Sequence, residues 1–209
     1  MDETLDSWLA ALASARPTPG GGSAAALLIA TGAALVEMAC NLTVGRERFS
    51  AVEPLMRESI VFSEAMRGEA ATLRLADGAA YDAVSAAYAL PRATAEEKGI
   101  RAAAIQQALR GATEVPMQQV QIGLAVLELA ARIAEAANPN VISDVGAGAL
   151  AARAGVDAAA LNVRINLTLL KDPSYVEAQG SALASQMARA AAAAAHVLDA
   201  VDAAIGGRG

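Results

Sequence analysis

Cysteine and histidine occur once each in 209 residues, and the aromatics amount to one tryptophan, two phenylalanines and three tyrosines. One cysteine, Cys40, cannot form an internal disulfide and suits a reducing compartment; its apolar neighbours make it a small buried hydrophobe. Too few His and Cys remain for a zinc centre, and no dense carboxylate cluster suggests a two-metal site, so no metal or cofactor is expected. A Ser-His-Asp triad would have to use His196, which sits among alanines and reads as a surface or packed residue, and no G-x-S-x-G turn exists. The phosphate-loop pattern is absent too. Residues 20–25 and 146–151 fit G-x-G-x-x-A on paper, but neither follows a strand, so dinucleotide binding is excluded.

Positive charge is scarce and scattered. Sixteen basic residues stand against 22 acidic ones, giving a net charge of −6 with no basic tract. Nucleic acid and anionic membranes are poor partners for such a surface. The acidic start, Met1-Asp2-Glu3, is unlike a secretory signal, and the longest uncharged run, 17–36, is loop plus an Ala/Gly-rich helix and a poor span. The expectation is a soluble, cytoplasmic protein.

What the chain has instead is alanine. Hydrophobic content is 55% with only 3% aromatic, so a core must form by close helix approach rather than around large rings. The expected fold is all-α: one domain, 1–209, of about six helices, several of them long. Residues 4–16 place Leu5, Trp8, Leu9 and Leu12 on one helical face, with Trp8 as the anchor to the body. Pro17-Thr18-Pro19-Gly20-Gly21-Gly22-Ser23 follows, with Ser23 a candidate N-cap for a buried helix reaching about Thr43. On that helix Glu37 reads as belonging to the solvated end, while Asn41 fits either a site or a solvated end. Gly45–Arg48 is a charged loop. A long helix is expected from Pro54 to about Tyr88, and another from the capping box Thr94–Glu97 to about Ala137, kinked or broken at Pro116. A fifth segment is expected at 141–155, and a last helix at 173–204 with Asp172 as N-cap.

Polar residues on these apolar helices are the candidates for chemistry. Arg74, Asp77, Tyr81, Ser85 and Tyr88 recur at i+3 and i+4, which makes either a solvated face or a ligand groove. Asp77, Asn138, Asn140, Ser143, Asp144, Asn162 and Asn166 suit a heterocycle with amide-like edges, with one carboxylate for proton transfer. The same residues suit helix caps and interhelical hydrogen bonds equally well. The glycine loop likewise reads as a tight corner or as bare N–H groups facing a polar ligand.

The stretches PTPGGGSAAAL (17–27), NLTVGR (41–46), LADGAAYDAVSAAYALPRAT (75–94), EEKGIRAAAIQQAL (96–109), A-x-x-V-P (112–116), NPNVISDVGAGAL (138–150) and ALNVRINL (160–167) with KD at 171–172 resemble one family. It is the cyclodeaminase domain of formiminotransferase-cyclodeaminase, with the stand-alone methenyltetrahydrofolate cyclohydrolases. The resemblance covers most of the chain, without the formiminotransferase domain. It implies an all-helical homodimer that binds tetrahydrofolate derivatives in a cleft near the glycine loop, without metal. The implied activity is first formimidoyltetrahydrofolate cyclodeaminase, in which N10 attacks the formimino carbon on N5 and ammonia leaves. The alternative is methenyltetrahydrofolate cyclohydrolase, and an alternative of another class is a non-catalytic folate-binding helical module. By position, Asp77 and Asp144 would carry proton transfer or grip the pterin. Gly20, Gly21, Gly22, Ser23, Asn41, Tyr81, Asn138, Asn140, Ser143, Asn162 and Asn166 would bind substrate, and Arg46 or Arg92 would meet the glutamate tail. Relatives often carry Lys at positions 46 and 92, and unlike lysine an arginine keeps its proton. Glu37 also stands where a small residue is common.

Overall fold

The computed structural model describes residues 4–206, in which every long element is an α-helix. These are α1 (Leu5–Leu12), α2 (Gly21–Asn41), α3 (Glu53–Ala89), α4 (Ala95–Ile133), α5 (Ile142–Leu169) and α6 (Pro173–Gly206). Short 3-10 turns at Glu47–Val52 and Pro139–Val141 lead into α3 and α5. Helices α2 to α5 make a four-helix bundle, each packed on its two neighbours, and α6 lies against α4 and α5.

Small residues set the spacing, as the alanine content requires. Ala25, Ala26, Ile29, Gly32, Ala33, Val36, Ala39 and Cys40 are the buried face of α2. A Cβ added to Gly32 would lie 2.7 Å from the Gly148 carbonyl and 2.8 Å from Ala152 Cβ. The α2 and α5 backbones therefore touch at this crossing, which only glycine permits. Burial also pushes the Cys40 thiol up to about 11, against a hydrogen bond with Ser59 that lowers it. By length and composition α2 is apolar enough to cross a bilayer, and half of that window is buried inside the bundle.

Two helix starts follow the sequence closely. At α4 the Thr94 hydroxyl accepts from Glu97 N–H at 3.1 Å while Glu97 accepts from Thr94 N–H at 3.0 Å. At α6 the Asp172 Oδ1 accepts from the N–H groups of Ser174 and Tyr175, and Oδ2 accepts from Arg110 at 2.7 Å. The Ser174 hydrogen bond first, then Tyr175 N–H and Arg110, hold that carboxyl down at about 2. Arg110 also stacks on the Tyr175 ring at 4.7 Å, tying α6 to α4.

Other expectations are corrected. Ser23 is not the N-cap of α2; Gly20 is, without a side-chain cap, and Ser23 is buried in the first turn with its hydroxyl donating to the Arg74 carbonyl at 2.8 Å. α5 does not stop near Gly155 but runs on to Leu169, because Gly155 packs against Ile29 and the Ala25 carbonyl. α4 continues through Pro116 without a break and ends at Ile133, four residues before the expected stop. α1 ends at Leu12; Trp8 is buried as expected, but Leu5 and Leu9 are exposed. Glu37 is ion-paired to Arg67 of α3 at 3.1 Å. His196 is exposed on α6.

Candidate active site at the N-terminus of α2

α2 starts at Gly21, whereas α3 and α5 run past that level to Ala89 and Leu169. The bundle therefore loses one helix at this end and leaves a cleft framed by α3, α4 and α5. It encloses about 190 Å³ and is lined by Asp77, Ala80, Tyr81, Val84, Leu109, Ala112, Asn162, Asn166 and Leu169. The N-terminus of α2 enters beside it, since Gly22 abuts Asp77 and Gly21 lies near the Asn162 amide.

Asp77 is the carboxylic acid of this cleft. Burial raises its carboxyl above the ordinary aspartate value, and the backbone N–H and hydroxyl of Ser23 pull it partly back. The Ser23 hydroxyl donates to the Arg74 carbonyl at 2.8 Å, which fastens the first turn of α2 to the α3 backbone beside the acid. A Cβ on Gly22 would fall on the Asp77 carboxylate. The glycine is thus clearance for the catalytic candidate itself, and its neighbour in sequence holds that candidate in place. A carboxyl raised by burial and set beside a helix N-terminus is a candidate for proton transfer.

The asparagines divide their functions. Asn166 Nδ2 donates to the Ala112 carbonyl at 2.6 Å, an interhelical bond from α5 to α4. Asn162 Nδ2 donates to Ala158 within α5 at 3.1 Å. Both residues line the cleft, and neither amide carbonyl has a hydrogen-bond donor among the described residues. Tyr81 is half exposed at the rim. Tyr88, on the same stripe, is turned away: Arg101 donates to its carbonyl and stacks on its ring at 5.5 Å.

The remaining sequence candidates lie elsewhere in the chain. Asn138 is buried at the far end of the bundle, where its N–H donates to Thr43, its Nδ2 to the Leu42 carbonyl, and its Oδ1 accepts from Arg48 and from Asn140 N–H. Asn41, Asn140 and Ser143 are exposed there, with Asp144 half-buried in the first turn of α5. Asp144 and Asn162 are eighteen residues apart on one helix, about 27 Å at 1.5 Å per residue. Arg92 is exposed in the loop joining α3 to α4, and Arg46 is exposed ahead of α3. One chain thus assembles Gly20–Ser23, Asp77, Tyr81, Asn162 and Asn166, and leaves the rest outside the cleft.

Leu109, Ala112, Val84 and Leu169 were not singled out from sequence, being apolar residues without a chemical signature. Gln119 was missed as well. It is fully buried, both atoms of its amide lack a partner among the described residues, and it lies two turns along α4 from Ala112. A larger groove of about 320 Å³ between α3 and α4, lined by Glu69, Thr72, Leu73, Gln118, Gln121 and Ile122, holds none of the candidates.

Fold and cleft together define an all-helical protein with a carboxylate-and-amide pocket at a helix N-terminus. The profile of the family described as formiminotransferase-cyclodeaminase matches residues 4–185, and the chain belongs to that family. It is 44% identical to a methenyltetrahydrofolate cyclohydrolase of Methylorubrum extorquens over 91% of this chain and 92% of that protein. It is 32% identical to the formimidoyltransferase-cyclodeaminase of Rattus norvegicus over 97% of this chain, spanning 38% of the rat protein's length. Its fold is similar to that of a formiminotetrahydrofolate cyclodeaminase from Thermotoga maritima, with a TM-score of 0.88, 26% identity and 97% of each chain covered.

Proposed function

We propose that the chain is an enzyme of folate one-carbon chemistry that closes or opens the methenyl bridge between N5 and N10 of tetrahydrofolate. The observation that carries this reading is Asp77, a carboxyl raised by burial and held by Ser23 in a cleft lined with the amide carbonyls of Asn162 and Asn166. In cyclodeamination N10 attacks the formimino carbon, Asp77 takes the N10 proton and passes it to the amino group on the tetrahedral carbon, and the carbon–nitrogen bond breaks to release ammonia. In cyclohydrolysis Asp77 takes a proton from the water that adds to the same carbon, and the proton is returned to N5 as the carbon–N5 bond breaks. Both pass through a tetrahedral carbon between two nitrogens, so one acid–base group serves either reaction. Neither requires a cofactor.

The resemblance in sequence puts the cyclodeaminase first. The higher identity to a stand-alone cyclohydrolase over the whole chain supports the second reaction, so both are carried forward. The Asn162 and Asn166 carbonyls accept from the N–H edge of the pterin, and the N–H groups of Gly21 and Gly22 at the α2 terminus donate to its carbonyl. The protein works in the cytoplasm, in agreement with its lone thiol, and as a homodimer. Purified protein given 5,10-methenyltetrahydrofolate loses the methenyl absorbance if it is a cyclohydrolase. Given 5-formiminotetrahydrofolate it gains that absorbance and releases ammonia if it is a cyclodeaminase. Turnover of neither refutes the reading and leaves the non-catalytic folate-binding module.

A further inference from the structure

Pro116 lies inside α4, and the helix continues through it. In an α-helix the N–H of each residue donates to the carbonyl four residues earlier, and a proline has no N–H to give. The carbonyl deprived of its helical donor is therefore that of Ala112, one of the residues lining the cleft. A buried helix carbonyl needs another partner, and α5 supplies it. Asn166 Nδ2 donates to the Ala112 carbonyl at 2.6 Å.

Asn162, one turn earlier on α5, shows what the same side chain does without such an acceptor. Its Nδ2 turns back to the Ala158 carbonyl of its own helix at 3.1 Å. The equivalent acceptor for Asn166 is the Asn162 carbonyl, and Asn166 leaves it for α4. A carbonyl accepts only from the Nδ2 end of an amide, so this bond also decides where the other end goes. Oδ1 is turned away from Ala112, on a residue that lines the cleft, with no donor among the described residues.

We propose that Pro116 is a positioning residue of the cleft: by taking the helical donor from Ala112 it locks the Asn166 amide with Oδ1 presented to the substrate. The inference deepens the folate reading above and rests on it. An amide free to flip offers a ligand either a donor or an acceptor. A locked one offers an acceptor alone, the complement of the pterin's N–H edge, and presents no donor to a heterocycle with an acceptor there. With alanine at 116 the Ala112 carbonyl turns back to its own helical N–H and the hold on Asn166 weakens. No side chain lining the cleft is altered by that change, because Pro116 is buried in α4 behind it.

The test is a cycle of Pro116→Ala, Asn166→Ala and the double variant, read by melting and by turnover. Alanine is the strongest helix former, so α4 keeps its course in Pro116→Ala. With Pro116 present, Asn166→Ala strands the Ala112 carbonyl and is expected to lower Tm by roughly 2–5 °C. With alanine at 116 the carbonyl has its helical donor, and the same substitution costs less than half as much. Pro116→Ala is expected to raise KM about fivefold for 5,10-methenyltetrahydrofolate, or for 5-formiminotetrahydrofolate if that is the substrate turned over, with kcat changed by less than about twofold. In the double variant it adds nothing to the KM of Asn166→Ala. A merely structural proline would move Tm and leave KM alone. Equal Tm losses in the two backgrounds, independent effects on KM, or a wild-type KM in Pro116→Ala each overturn the proposal. A wild-type protein that turns over neither substrate refutes the folate reading instead, and the melting cycle then decides by itself whether proline and asparagine are coupled.

Discussion

Replacing Gly22 with alanine separates two accounts of the glycine loop. If the three glycines clear space for ligand, alanine at Gly21 or Gly22 blocks binding and leaves stability alone. The structure gives the two positions different neighbours. A Cβ at Gly21 comes no closer than 3.9 Å to the Asn162 amide, an ordinary contact, whereas one at Gly22 lands on the Asp77 carboxylate. The cheapest relief is rotation of Asp77, which forfeits its hydrogen bond from the Ser23 N–H, worth about 1.5–3 kcal/mol to a charged group. Moving the helices apart instead costs ~1–3 kcal/mol as overpacking. The expected loss is about 2 kcal/mol, or roughly 4–8 °C in Tm for a chain of this size. A base displaced by about 1 Å also costs on the order of 10²-fold in rate. Urea unfolding and methenyl absorbance read the two effects separately. Gly21→Ala should stay within about 0.5 kcal/mol of wild type. Equal stability losses at both positions, or wild-type turnover in Gly22→Ala, would refute the reasoning.

Further outcomes follow from the same structure. A pH–rate profile of the wild type should show its acidic limb displaced above the ordinary aspartate range, because burial raises Asp77, and the limb should vanish in Asp77→Asn. Gly32→Leu drives a side chain into the Gly148 carbonyl and should unfold the protein or cost more than about 3 kcal/mol in urea. Gln119→Met removes a buried amide without partners and keeps the volume, so Tm should rise by an amount equivalent to about 1 kcal/mol; a fall would mean that the amide is satisfied. Asp172→Ala uncaps α6 and frees Arg110. The Asp172 carboxyl is depressed in the folded state, so its stabilisation is present above the ordinary aspartate value near 3.8 and is lost as pH falls through about 2. Tm should therefore differ between variant and wild type at pH 7 and converge below pH 2.

Local chemistry made the helices and their ends readable. The capping box at Thr94 and the Asp172-Pro173 start carry their instructions within four residues, and both are found as expected. The errors occurred where a remote contact decides. Ser23 looks like a cap because it precedes an apolar run, but the hydroxyl finds Arg74, 51 residues away, and the helix starts two residues earlier. Gly155 looks like a stop because glycine ends helices, yet its lack of a side chain admits Ile29 of α2. Asp77, Asn162 and Asn166 were legible as candidates because each is a polar group among apolar helical neighbours, and the fold brings the three to one cleft. Whether Asp144 belongs with them was not, because periodicity assigns a face and says nothing of the 27 Å along it.

The claim at the centre of this account is that folate binds where α2 begins. A crystal structure with 5-formyltetrahydrofolate, which carries its one-carbon group on N5, tests it most directly. The account predicts the pterin ring in the cleft, within 3.5 Å of the Asp77 carboxylate and the Asn162 and Asn166 carbonyls. A ring seated in the groove between α3 and α4, against Glu69, Gln118 and Gln121, would contradict it.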